Sequence, residues 1–226
     1  MKYSIHILHL NKIKIRILLL ISAFLLIIPA IKAQDVKDNL RIGISASLGK
    51  NLSSEKMAFS DYTGFSSDYS KPNYRFGLNL EYLLKTSLTI NGAVHYSNRA
   101  FTGTYFCDVC DFAFTPSPER VDFSFIEVPI TIKYYFLPQK TRLFGEVGIN
   151  NSFPLNNFGY EARVNSYVIG FKLGGGLEYN VSEKIALQLT VDYNNSTSKI
   201  FKDSHFEDAY FKLKSINFGI TVLKKI

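Results

Sequence analysis

Eight stretches of this 226-residue chain alternate apolar and polar side chains with period two, and the connections between them run long, short, long, short, long, short, long. A period of two is the mark of a strand, because successive side chains leave a strand on opposite faces. An even number of strands joined in this rhythm predicts an all-β fold, an eight-stranded antiparallel up-and-down barrel with every long loop leaving by the same end.

The first stretch, Leu40 to Gly49, sets Ile42, Ile44, Ala46 and Leu48 against Arg41, Gly43, Ser45 and Ser47. The second, Tyr74 to Leu84, sets Tyr74, Phe76, Leu78, Leu80 and Tyr82 against Arg75, Gly77, Asn79 and Glu81. The third, Leu88 to Ser97, opposes Ile90, Val94 and Tyr96 to Asn91, His95 and Ser97. The fourth, about Phe123 to Phe136, carries Ile126, Val128, Ile130, Ile132, Tyr134 and Phe136 on one face and Phe125, Glu127, Pro129, Thr131 and Lys133 on the other. Pro129 has no N–H to give a ladder, so a bulge or a weakened pairing is expected there. The remaining stretches, from Arg142, Tyr167, Ile185 and about Phe211, alternate in the same way.

Alternation alone does not say which face is inside, since a soluble lipocalin-like barrel also alternates, with its apolar face inward. Three features favour the opposite sense. On the apolar faces, Tyr82, Tyr134, Phe136 and Tyr179 fall at the short-turn end and Tyr74, Tyr96, Tyr167 and Tyr193 at the long-loop end, as two aromatic girdles. The segments around 50–73, 98–121, 151–166 and 194–210 all project from one side. The polar faces hold Gly, Asn, Ser and Thr with few charges, and those charges balance: Arg41, Arg75, Lys133, Arg142 and Lys172 against Glu81, Glu127, Glu146, Glu178 and Asp192. A crowded polar lumen with an internal ion-pair network accounts for that balance, because a charge taken out of water without a partner costs several kcal/mol.

The N-terminus completes the reading. Lys12, Lys14 and Arg16 precede an apolar run from Ile17 to Ile28, then Pro29 and the small-residue site Ile31-Lys32-Ala33. This is the pattern of a secretory signal, and the run is too short for a spanning helix, which needs about 20 residues. Cleavage after Ala33 leaves one barrel domain, residues 34–226, beginning at Gln34 rather than at a lipid-bearing cysteine. The segment 1–33 holds five of the 26 basic residues and none of the 19 acidic ones, so the formal charge falls from +7 to +2. That excludes a nucleic-acid footprint, which needs a clustered basic surface. The expected setting is a cell outer membrane, with outer-membrane lipid around the barrel.

The run Phe125 to Phe136, F-I-E-V-P-I-T-I-K-Y-Y-F, resembles a strand of the PorT-like outer-membrane β-barrel family common in Bacteroidota. Phe144-Gly145-Glu146-Val147-Gly148 and the glycine-rich Gly170 to Tyr179 resemble that family's following strands. The resemblance covers nearly all of residues 34–226. It implies an eight-stranded outer-membrane barrel with both termini in the periplasm. It implies little about activity, since one named member belongs to a protein-secretion apparatus and most have no known biochemical role.

Eight strands leave room inside for side chains only, so a large diffusion pore is not expected. Cys107-Asp108-Val109-Cys110 lies in the second long loop, and two cysteines in an exported chain usually pair. The other readings of this motif are a redox dithiol or half a metal site with Asp108 and Asp111; the first lacks a helix N-terminus and the second lacks four ligands. His95 and Ser97 share a face and form the one enzymatic candidate, a lipid-modifying pair, though without an orienting acid in view. Gly174-Gly175-Gly176 has neither the helix nor the Lys-Ser/Thr of a phosphate loop and reads as relief of crowding. The loops are rich in aromatics, among them Phe59, Tyr62, Phe65, Tyr105, Phe106 and Phe158, which either meet a protein or glycan partner or pack on one another. The sequence therefore predicts a non-enzymatic barrel without cofactor or metal, acting through its loops or within an envelope assembly.

Overall fold

The computed structural model describes residues 39–52, 56–58, 62–68, 72–107, 109, 117–136, 140–155, 163–198, 201–202 and 213–226. The expected export signal, residues 1–33, lies outside them, as do most of the long-loop tips. The chain divides into Met1–Asn39 and Leu40–Ile226, and the second unit carries the strands. Among the described residues these are β1 (Leu40–Asn51), β2 (Lys56–Ala58), β3 (Thr63–Asp68), β4 (Pro72–Lys85), β5 (Leu88–Cys107), β6 (Glu119–Tyr135), β7 (Thr141–Pro154), β8 (Arg163–Val164), β9 (Val168–Asn180), β10 (Ile185–Ser196), β11 (Phe201–Lys202) and β12 (Lys214–Lys225).

Eight of them close on themselves in the order β5-β4-β1-β12-β10-β9-β7-β6, with β6 pairing back onto β5. Every pairing is antiparallel. Closure leaves no free edge around the barrel, which hydrocarbon requires because it offers nothing to satisfy an open row of N–H and C=O groups.

Burial runs opposite to that of a water-soluble protein. Ile44, Leu48 and Leu78 are 64–66% exposed, whereas Glu127 and Glu178 are 0% exposed. Along β1 the residues Ile42, Ile44, Ala46 and Leu48 face out, while Arg41 and Ser47 are buried. The apolar faces are therefore the outside of the barrel, and the inward-apolar, lipocalin-like arrangement is ruled out.

Two differences from the sequence reading concern the long-loop end. The segments expected as loops at 50–73 and 98–121 are partly strand: β5 runs on to Cys107, pairs above the barrel with β6, and takes the β2–β3 hairpin along its other edge. The last strand begins at Lys214 rather than near Phe211. At Pro129 the pairing is weakened without a bulge: the β5–β6 ladder skips Ala93 and Val94, then resumes at the same register, while β7 pairs with Pro129 unbroken. The bulge lies instead between Leu83 and Lys85.

Candidate functional site

The lumen is built in two tiers. In the tier nearer the short turns, Arg41 of β1 reaches two carboxylates. It pairs with Glu81 of β4 and donates through Nη1 to Glu178 Oε1 of β9 at 2.9 Å. Arg142 of β7 also pairs with Glu178, and Lys133 of β6 with Glu81. Tyr135 and Gln188 join the two acids: Tyr135 Oη donates to Glu178 Oε2 at 2.6 Å, and Gln188 Nε2 donates to the same oxygen at 2.6 Å. Lys133 Nζ donates to Gln188 Oε1 at 2.8 Å. The rings complete the packing, with the Arg142 guanidinium 4.1 Å from the Tyr135 ring and Lys133 Nζ 4.9 Å from that of Phe144.

The second tier lies toward the long loops. Arg75 of β4 donates through Nη2 to Asp192 Oδ2 of β10 at 2.6 Å and lies 3.8 Å from Glu127 of β6. Arg99 of β5 pairs with Glu127, and Ser97 Oγ donates to the same carboxylate at 2.7 Å. Lys172 Nζ of β9 is 2.7 Å from Glu146 of β7 and 4.0 Å from Asp192. Asn217 Nδ2 donates to Asp192 Oδ1 at 2.9 Å.

All ten charges assigned to the lumen from sequence thus point inward and enter these two tiers. Sequence reasoning missed Arg99, Tyr135 and Gln188 as members. Arg99 and Tyr135 sit two residues beyond Ser97 and Lys133 on the same face, so period two carried a little further would have found them; Gln188 was on the polar face but carries no charge to draw attention. With Arg99, the described residues of the interior include six cations against five carboxylates.

His95 and Ser97, the candidate pair, do not bond each other. His95 Nε2 lies 3.0 Å from Ser45 Oγ across β4, and Ser97 gives its proton to Glu127. Both face the buried lumen, 4% and 2% exposed, rather than lipid. Cys107 is disulfide-bonded, while Cys110, Asp108 and Asp111 lie outside the described residues. Among the described residues no cluster of His, Cys, Asp and Glu is arranged to hold a metal ion.

The family model for the outer membrane protein beta-barrel domain matches residues 32–167, more than half of the chain. The chain belongs to that family. An outer membrane protein beta-barrel domain explains both the apolar exterior and the paired charges within it: lipid takes the place of water outside, and the charges have only one another inside. Among solved structures, this barrel domain is similar to the outer membrane protein OprG from Pseudomonas aeruginosa, at 12% identity over 84% of this chain and 97% of that one, with a TM-score of 0.55. It is also similar to Neisserial surface protein A (NspA), at 14% identity over 83% and 97%, with a TM-score of 0.48. A search of curated protein sequences finds no match.

Proposed function

We propose that this barrel is a non-enzymatic, PorT-like scaffold, exported by a signal cleaved after Ala33. It holds its long loops outside the cell to engage a protein or glycan, or to take part in an envelope assembly. The observation that carries the reading is the lumen itself. Its charges are engaged with one another in two tiers, which supports a structural interior and leaves the long-loop end as the place for specificity. The raised sheet formed by β5, β6 and the β2–β3 hairpin supports the same view, since it gives the loops a firm base beyond the barrel. The bonding of His95 to Ser45 and of Ser97 to Glu127 favours this reading over a lipid-modifying enzyme.

Two measurements test it. Purified protein incubated with labelled lipopolysaccharide is expected to leave the lipid unchanged; release of an acyl chain would overturn the non-enzymatic reading. A photo-crosslinking residue in place of the exposed Tyr62 is expected to trap a protein or glycan on intact cells. Irradiation without any adduct would count against recognition through the loops.

A further inference from the structure

Among the described residues, the short-turn rim carries an exposed lysine at each of its four strand junctions. Lys85 stands where β4 turns into β5, Lys140 where β6 gives way to β7, Lys184 where β9 gives way to β10, and Lys224 where β12 lies between β1 and β10. In the closed strand order these four positions are spread around the whole circumference. All four side chains are exposed, and Glu183 is the single acidic side chain among the described residues of this rim. The described charges of the lumen behind them do not neutralise them, since among these the cations outnumber the carboxylates.

The direction of two of them is set by independent observations. Lys140 Nζ sits 5.2 Å from the centroid of the Tyr179 ring, and Tyr179 belongs to the outward aromatic girdle. Lys224 is the ladder partner of Ile42 and of Ile185, both exposed on the outer face. Lys140 and Lys224 therefore lie on the lipid side of the wall, directly beyond the aromatic ring formed by Tyr82, Tyr134, Phe136 and Tyr179, and Lys85 and Lys184 are exposed at the same rim. A lysine there keeps its stem on apolar surface and carries its ammonium to the level of the headgroup phosphates.

We infer that the short-turn rim is a binding belt for anionic phospholipid, each lysine holding the phosphodiester of a headgroup, such as that of phosphatidylglycerol, that has no ammonium of its own. The proposal rests on the outer-membrane seating established above. A zwitterionic headgroup brings its own cation to the site and gains less, so the belt selects by net headgroup charge.

The test uses native mass spectrometry of the protein released from nanodiscs of equimolar phosphatidylcholine and phosphatidylglycerol. The wild-type protein is expected to retain phosphatidylglycerol over phosphatidylcholine by about fivefold. The variant K85Q/K140Q/K184Q/K224Q is expected to retain the two equally. Faster gel migration of unboiled samples reports barrel closure separately, so loss of the belt is distinguished from loss of the fold. The milder K140Q/K224Q variant, expected to lose about half the preference, keeps the test available if the fourfold variant does not insert. Equal retention by the wild type, or an unchanged preference in a closed variant, would overturn the proposal. Disappearance of the preference in excess inorganic phosphate would replace it with a free-anion site, and salt-sensitive binding of polyglutamate without lipid preference would replace it with an acidic protein partner.

Discussion

Glu178 accepts from Arg41, Arg142, Tyr135 and Gln188 at once, so its removal strands the Arg142 guanidinium in a closed interior and leaves Arg41 with Glu81 as its remaining carboxylate. Breaking a buried pair from one side costs about 3–5 kcal/mol, because the surviving charge keeps its desolvation penalty without its partner. Glu178→Ala is therefore expected to lower stability by about that amount in urea titrations of the barrel refolded into lipid vesicles. Asn217→Ala, which removes one hydrogen bond to Asp192, is expected to cost about 1–3 kcal/mol in the same assay. At this scale the sequence reveals which residues face inward, since parity along a strand needs only neighbours. It does not reveal who meets whom: Arg41 and Glu178 are 137 residues apart. Their meeting depends on the stagger between strands and the reach of two side chains across the lumen, neither of which is written in any local pattern.

The strands themselves are pressed together at particular glycines. A Cβ on Gly148 would sit 2.0 Å from the backbone oxygen of Ile130, whereas one on Gly145 would meet the Phe136 ring at an ordinary 3.6 Å and the Gly174 oxygen at 4.0 Å. Gly148→Val is therefore expected to force β6 and β7 apart and to destabilise the barrel by at least about 1–3 kcal/mol. Gly145→Val, three residues earlier on the same strand, is expected to leave migration of the unboiled protein unchanged. The eight barrel strands were legible because each has lipid on one side and the lumen on the other, which imposes strict alternation. The extension of β5 through Asn98 to Cys107 was not, for the same reason. Above the barrel it pairs with β3 and β6, away from that two-sided constraint, and its sequence, N-R-A-F-T-G-T-Y-F-C, shows no clean alternation. Its β-branched and aromatic residues were the remaining signal.

For the molecule as a whole, the solvent of the outer face is the decisive quantity. Leu189 is half exposed in the middle of β10, between Leu187 and Val191 on the apolar wall. Leu189→Arg is expected to cost about 2–4 kcal/mol when the barrel is measured in a bilayer, because the guanidinium is then held at hydrocarbon depth. Thr197→Arg, at an exposed site beyond the end of β10, is expected to be nearly neutral. Equal effects of the two substitutions would place the outer wall in water. The overall architecture, eight strands with an apolar exterior and loops at one end, followed from rhythm and composition. The raised sheet beyond the barrel did not, since it depends on pairings between segments that read as loops.

The pairing of β1 with β12 makes the last barrel strand in chain order a condition for all the others. Until Lys214–Lys225 arrives, β1 and β10 each present a bare edge, and Arg41 waits on a wall not yet joined to the one that carries Glu178. A chain cut short anywhere before Lys214 would have no low-energy place in lipid, however complete its earlier hairpins. The seam thus makes closure all-or-none: the ring of pairings around the barrel is incomplete until the first and last strands have met.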